Sequence, residues 1–441
     1  MGQILSQPVT TKHSDSDKNK YLAYGLSSMQ GWRINMEDAH TTILNLDTDS
    51  DEEPTKAPTA FFAVYDGHGG ENVAKFTGDN LFRIVKNQKE YSTGDFNLAL
   101  KNAFLAADRE ILEHETLKND QSGCTATTVL VNDKKIVCAN AGDSRTVLSV
   151  NGYAKALSFD HKPNNEGEHA RICAAGGFVD MGRVNGNLAL SRAIGDFDFK
   201  KSAKLPAEEQ IVTAFPDVIE HEITSDDEFI VLACDGIWDC LTSQQVVEVV
   251  RKGIHDGLSL TEIAEGMIDI CLAPTSGGSG IGCDNMSLVI VALLNGKTEE
   301  EWYQSIVDKK GPVSKSFEEV ANEIYSEEER AQSFENRSQS ATSAGAANGE
   351  EGEFDAPYDA SALLNGNEAL QELLMNKVIS SQNGVFYLDT SNIASTLKGL
   401  GQELSEDSEE PVQQAEEVEE ESEEDKTEAS ITEAQEEKEE K

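Results

Sequence analysis

Residues 60–70 read AFFAVYDGHGG, an apolar run that stops on Asp66 and continues as Gly67, His68, Gly69 and Gly70. The run predicts a strand that ends on a carboxylate. Glycine loses more backbone freedom on folding than any other residue. Three of them in four positions therefore mark a place needing close approach or unusual dihedrals. The segment is either a tight turn or a site.

Working outward, short apolar runs recur: TATTVLVN (125–132), KIVCANA (135–141), RTVLSV (145–150), EFIVLAC (228–234) and MSLVIVALL (286–294). Turn-like stretches such as VNDKKI (131–136) and VNGYA (150–154) join some of them as hairpins, which points to antiparallel sheets. Helical periodicity falls at 71–90, 97–113, 165–175, 243–253 and 260–271. These helices interrupt the strands too irregularly for a βαβ repeat, so the expected class is α+β.

The 441 residues carry a net charge of −45, unevenly spread. Residues 1–296 hold 43 acidic and 25 basic side chains, whereas 297–441 hold 38 and 11. No basic footprint for nucleic acid is present. Residues 1–20 read as a polar, flexible arm. MGQILS fits the N-myristoylation pattern at Gly2, and a single acyl chain would give only weak membrane association. Residues 297–330 suggest two exposed or docking helices, 331–359 a low-complexity linker, and 360–400 a small helix–strand–helix docking element around VFYL. Residues 401–441, with 19 acids and three lysines, are too poor in apolar surface to fold and are expected to be disordered. Ser50 and Ser422 sit in acidic runs suited to acidophilic kinases. The seven cysteines lack any CxxC pair and read as buried free thiols of a reducing compartment. No apolar stretch approaches the ~20 residues of a membrane span.

Carboxylates recur at strand ends: Glu37 and Asp38 in GWRINMEDAH, Asp66, Asp235 and Asp284. One aspartate at such a place is ordinarily a turn or cap residue. Several that each abut an apolar strand and small residues would converge at one sheet edge and repel each other. A hard divalent cation relieves that repulsion, and an all-oxygen set favours Mg²⁺ or Mn²⁺ over Zn²⁺. On this reading Gly67, Gly69 and Gly70 leave room for backbone carbonyls and a substrate phosphate. His68 is suited to protonate a leaving alkoxide, and Arg33 to grip two phosphate oxygens. Two other phosphate chemistries fail on spacing. Cys138 and Arg145 form C-x6-R where a thiolate phosphatase needs C-x5-R, and no G-x4-G-K-[ST] occurs.

The stretches MQGWRINMEDAH, VYDGHGG, SGCTATTVLV, NAGDSR, LSFDHKP, VNGNLALSRAIGD, ACDGIWDCLT and GIGCDNMS appear in that order between residues 22 and 295. In them the chain closely resembles the metal-dependent Ser/Thr protein phosphatases of type 2C, especially fungal members. The resemblance implies a sandwich of two antiparallel β-sheets flanked by pairs of helices, with a catalytic domain at 21–296. It also implies two Mn²⁺ or Mg²⁺ ions bridged by Asp66, with Gly67 lending its carbonyl. Glu37 would serve one ion, Asp235 and Asp284 the other, and Asp38 would hydrogen-bond their waters. Asp143 and Asp239 match a weaker third metal position, and 163–187 matches a flap beside the active site. Phosphorylated proteins, protein kinases among them, are the implied substrates of a monomeric cytoplasmic and nuclear enzyme acting in kinase signalling. The rival reading is an interaction scaffold that recruits partners through its acidic C-terminal region.

Overall fold

The run at 60–65 forms a strand lying between two cores. Phe61, Ala63 and Tyr65 enter one, whereas Ala60, Phe62 and Val64 enter the other. Successive strand side chains face opposite ways, so a strand covered on both faces is apolar at every position. A computed structural model describes residues 4–47, 58–276, 280–325, 379–382 and 385–388.

Two antiparallel sheets stack through that shared core. The six-stranded sheet runs β1 (Ile4–Lys18), β2 (Leu22–Arg33), β16 (Met286–Leu293), β15 (Asp227–Ala233), β9 (Arg145–Val150), β10 (Tyr153–Ala156). The five-stranded sheet runs β14 (Asp217–Glu222), β8 (Lys135–Ala141), β7 (Ala126–Val131), β4 (Ala60–Tyr65), β3 (Ala39–Ile43). A small sheet at the site pairs β13 (Ile194–Gly195), β6 (Gly123–Cys124) and β5 (Gly67–His68). The expected α+β sandwich is the observed fold.

Helices cover both outer faces. On the five-stranded side lie α1 (Asn72–Lys86) and α3 (Phe96–Glu113), joined by the short α2 (Lys89–Ser92). The flap carries α4 (Glu166–Ala174) and a hairpin of β11 (Val179–Asp180) with β12 (Arg183–Val184). A single turn, α5 (Asp235–Trp238), follows β15. On the six-stranded side lie α6 (Ser243–His255), α7 (Leu260–Cys271), α8 (Glu299–Asp308) and α9 (Phe317–Ile324). These last four each begin with a reciprocal capping box, at Thr242/Gln245, Ser259/Glu262, Thr298/Glu301 and Ser316/Glu319. Each box satisfies two otherwise orphaned helix-end amides.

The structure corrects the N-terminal expectation. Residues 4–18 are not a loose arm but a 15-residue edge strand on β2. The charges that suggested solvation are spent on the neighbouring helices. Lys12 pairs with Asp269 at 2.6 Å, Lys18 with Glu299 at 2.6 Å, and Ser14 donates to Glu265 at 2.6 Å. Five cysteines are buried as expected, whereas Cys173 is exposed and Cys240 half-buried, all of them free thiols. Met1–Ala347 forms one compact unit and Asn348–Lys441 another. In the second, VFYL is a strand, β18 (Val385–Leu388), paired with β17 (Ile379–Gln382). The expectations for Gly2, Ser50, residues 326–359, the helices of 360–400 and the acidic tail with Ser422 fall outside the described residues.

The two extension helices dock rather than project. Trp302 and Ile306 of α8 are each 1% exposed, and the Trp302 indole donates to the Glu228 carbonyl at 3.0 Å. Beneath them Arg251, fully buried, pairs with the buried Glu228. Arg251 also donates to the carbonyls of Lys309 at 3.0 Å and Pro312 at 3.1 Å. Glu228 in turn accepts from Ser149 at 2.7 Å and from the Gly152 amide at 3.0 Å. Removing one member of a buried ion pair strands the other charge. Arg251→Met is therefore expected to cost about 3–5 kcal/mol in equilibrium urea unfolding. The double variant Arg251→Met/Glu228→Gln should recover part of that loss.

Candidate metal centre

The fold brings the strand-end carboxylates to one end of the sandwich. Asp66 ends β4, Asp235 opens α5 directly after β15, and Asp284 lies just before β16. Glu37 and Asp38 occupy the β2–β3 connection, Asp143 the β8–β9 turn, and Asp239 caps α5. Because β16, β15 and β9 are neighbours in one sheet and β4 and β3 in the other, all these ends meet.

Their mutual proximity is written in their acidities. Burial pushes the Asp66 carboxyl well above the usual range, and Asp235, Asp38, Asp284 and Asp143 push it further. Burial raises Asp235 likewise, with Asp143, Asp284 and Asp239 adding to it. Asp38 is pushed up to about 7 by burial, with Asp284 contributing, and its Oδ2 is buried with no hydrogen-bond partner. Burial also raises Asp239.

The supporting geometry is backbone-led. The Asn285 side chain accepts from the Glu37 amide at 2.9 Å and donates to the carbonyls of Gln30 at 2.8 Å and Asn35 at 3.0 Å. It thus ties the Glu37 loop to the Asp284 loop. Gly67 makes room for a backbone carbonyl, as expected of these glycines: a Cβ there would lie 2.2 Å from the Glu37 carbonyl oxygen. Gly69 and Gly70 have φ of +69° and +132°, and the Gly70 amide donates to Glu37 Oε2 at 3.3 Å. Asp66 donates its amide to Thr125 Oγ1 at 3.2 Å, and its carbonyl accepts from the Thr125 amide at 2.9 Å. Arg33 and Asp284 form an ion pair at 2.5 Å. With Glu37, Gly67 and Asn285 they line a cleft of about 210 Å³.

A divalent ion suits these residues. The donors are carboxylate and carbonyl oxygens, the cations Arg33 and Lys162 answer only Asp284 and Asp143 among them, and one buried carboxylate oxygen has no partner. Ligand atoms of Asp38, Asp66 and Cys234 all lie within 4.8 Å of one another. Burial holds the Cys234 thiol far above its normal range, and its Sγ is satisfied by the Ser287 amide at 3.2 Å and the Asn285 carbonyl at 3.5 Å. A neutral, occupied thiol does not compete with the oxygens.

His68 stands on β5, in the small sheet. Its Nε2 lies 2.7 Å from Asp196 Oδ2. Burial alone would lower the imidazole pKa, but Asp196, with Asp143 and Glu37 behind it, raises it above the usual value. Asp196 is buried and adopts φ +52°, uncommon for a residue with a side chain. Gly123 makes the contact possible, since a Cβ there would fall 2.2 Å from Asp196 Oδ2 and 2.7 Å from His68 Nε2. Neither Asp196 nor Asn285 stands out in sequence, where each reads as a turn residue beside glycine or another polar group.

The flap is rooted in the same charges. Lys162 donates to Asp143 at 2.5 Å. Glu168 of α4 is buried, and although burial alone would raise its pKa, bonds from Arg192, Arg171 and Ser191 hold its carboxyl at about 2. Beyond this anchor Phe178 and Met181 are 55% and 95% exposed.

The comparisons fall on this fold and this site. A profile of the family Protein phosphatase 2C matches residues 22–280. Protein phosphatase 2C homolog 3 of Schizosaccharomyces pombe is 60% identical over 309 residues, covering 70% of this chain and 73% of that protein. Protein phosphatase 2C homolog 2 of Saccharomyces cerevisiae is 50% identical over 331 residues, covering 74% and 70% respectively. Among solved structures, a phosphatase from Toxoplasma gondii aligns with a TM-score of 0.55 at 26% identity, covering 66% of this chain and 97% of that one. The fold and the acidic centre are those of a metal-dependent serine/threonine protein phosphatase. The chain belongs to the protein phosphatase 2C family.

The raised pKa of Asp38 sets a pH window. Its folded-state pKa of about 7 lies above its unfolded one, so its ionisation opposes folding increasingly as pH rises from the unfolded pKa towards 7, and in full above that. In EDTA at pH 8, Asp38→Asn should raise the melting temperature, by about 2–4 °C for each kcal/mol of repulsion relieved. At pH 5 that gain should be much smaller, and it should vanish below about pH 4. Added Mn²⁺ should stabilise the wild type more than the variant.

Proposed function

We propose that the chain hydrolyses phosphoserine and phosphothreonine esters of proteins at a centre of two divalent ions, Mn²⁺ or Mg²⁺, with His68 as general acid. Ions bound there supply an acidified water as nucleophile and screen the charge of the phosphate. We assign Asp66, the Gly67 carbonyl, Glu37, Asp235 and Asp284 as the groups that would hold the ions. Asp38, with its unpartnered oxygen, would orient bound water. Asp143 and Asp239 form a weaker third position, for which Lys162 competes as a counter-charge.

The protein's own chemistry lies in its cations. Arg33 presents a planar fork matched to two phosphate oxygens, and it exchanges its Asp284 partner for them. Asp196 stabilises the His68 imidazolium and raises its pKa, so the ring can give a proton to the departing serine or threonine oxygen. The His68–Asp196 contact at 2.7 Å beside the carboxylate cluster carries this reading.

Hydrolysis of a phosphothreonine peptide tests it. Activity should require Mn²⁺ or Mg²⁺, be lost in EDTA, and be lost in Asp66→Asn; metal-independent turnover, or a fully active variant, would overturn the metal centre. His68→Gln should lower kcat on the peptide by about 10²–10⁴. The loss should be far smaller on 4-nitrophenyl phosphate, whose leaving group needs no proton. In Asp196→Asn the alkaline limb of the kcat profile should move to lower pH, because the interaction that raises the imidazole pKa is gone. An unmoved limb would remove His68 from the acid role.

A further inference from the structure

Outside the residues matched by the family profile, α9 is fitted to the protein with unusual specificity. Its first residue, Phe317, lies over Gly266 of α7, where a Cβ would come within 2.4 Å of the ring. Val320 and Ala321 are buried in the core on the same side. Tyr325, which caps the helix, is 6% exposed and belongs to a small apolar cluster with Trp32, Ala273 and Cys283.

The Tyr325 hydroxyl is the point of interest. It donates to the Cys271 carbonyl at the end of α7 and lies 3.8 Å from Cys240 Sγ. A Cβ on Gly282, at φ +72°, would fall 1.9 Å from that hydroxyl and 2.2 Å from the Cys271 oxygen. The Ala273 amide donates to the Gly282 carbonyl at 2.9 Å, and the Trp32 indole donates to the Ala273 carbonyl at 2.9 Å. Two segments that carry acidic residues of the centre therefore meet on one phenol. Asp284 is two residues beyond Gly282, and Asp239 immediately precedes Cys240. Arg33, which pairs with Asp284, immediately follows Trp32.

We propose that Tyr325 is a positioning residue for the metal centre: its hydroxyl fixes Cys271 against Gly282 so that Asp284, two residues on, is held ready for an ion. The C-terminal helix α9 is thus a working part of the active site and not an appendage. The proposal rests on the assignment of Asp284 as a metal ligand, and the experiment separates the two.

Mn²⁺ binding to the full chain is followed through the electron paramagnetic resonance signal of the free ion, without turnover. Tyr325→Phe removes only the hydroxyl and keeps the ring, and Gly266→Leu evicts Phe317 from the opposite end of the helix. Both should weaken Mn²⁺ binding by about three- to tenfold, the worth of one hydrogen bond. A purely structural role would lower the melting temperature of both variants and leave Mn²⁺ affinity at the wild-type value, which overturns the proposal. Asp284→Asn is the reference. If it weakens Mn²⁺ binding while Tyr325→Phe does not, only the brace fails. If Asp284→Asn binds Mn²⁺ like the wild type, the ligand assignment fails and the brace with it.

Discussion

Everything at the working end of this protein follows from packing several like charges where water cannot screen them. Burial of their carboxyl groups raises the pKa of Asp66, Asp38 and Asp235, and the charge of Asp284 raises all three further. A fold does not gain stability from such an arrangement; it has to hold it by other means. Two stacked sheets do so, with apolar cores packed on their faces. Asp66 and Asp235 directly follow strands of those cores, which limits how far they can move apart to relieve their repulsion. That restraint makes a cation the available remedy.

Much of this was legible in sequence because it depends on local rules. A strand buried on both sides is an uninterrupted apolar run, and β4, β7, β8, β15 and β16 could be read directly. A carboxylate placed directly after such a run stands out, as Asp66 and Asp235 do. The helices were legible through their period and, for α6 to α9, through Ser or Thr followed three residues later by Glu or Gln. The family resemblance then joined motifs that no local rule connects.

What was not legible depended on partners remote in sequence. Strand β1 reads as a solvated arm because its lysines and serines answer to Asp269, Glu265 and Glu299 on distant helices. Gly67 reads as room for a backbone carbonyl, but that the carbonyl belongs to Glu37, 30 residues away, is not written in the segment. Asp196 sits 128 residues from His68 and Asn285 sits 248 from Glu37, and no periodicity spans such separations. Tyr325 meets Cys271 and Cys240 across 54 and 85 residues.

The division of the site between sheets has a consequence for how it works. Asp66, Asp235 and Asp284 belong to the two large sheets, whereas His68 and Asp196 belong to the small one made of β5, β6 and β13. The two are joined through a single covalent step from Asp66 to Gly67 and His68, and through Thr125, which bonds Asp66 one residue after β6. A charge gained at the carboxylates is therefore felt at the imidazole through space, as Asp143 and Glu37 already show by raising its pKa. Cations at the carboxylates would weaken that support and leave Asp196, in direct contact, as the partner that raises the imidazole pKa. The strained backbone at Asp196 and the missing side chain at Gly123 are the local cost of keeping that contact.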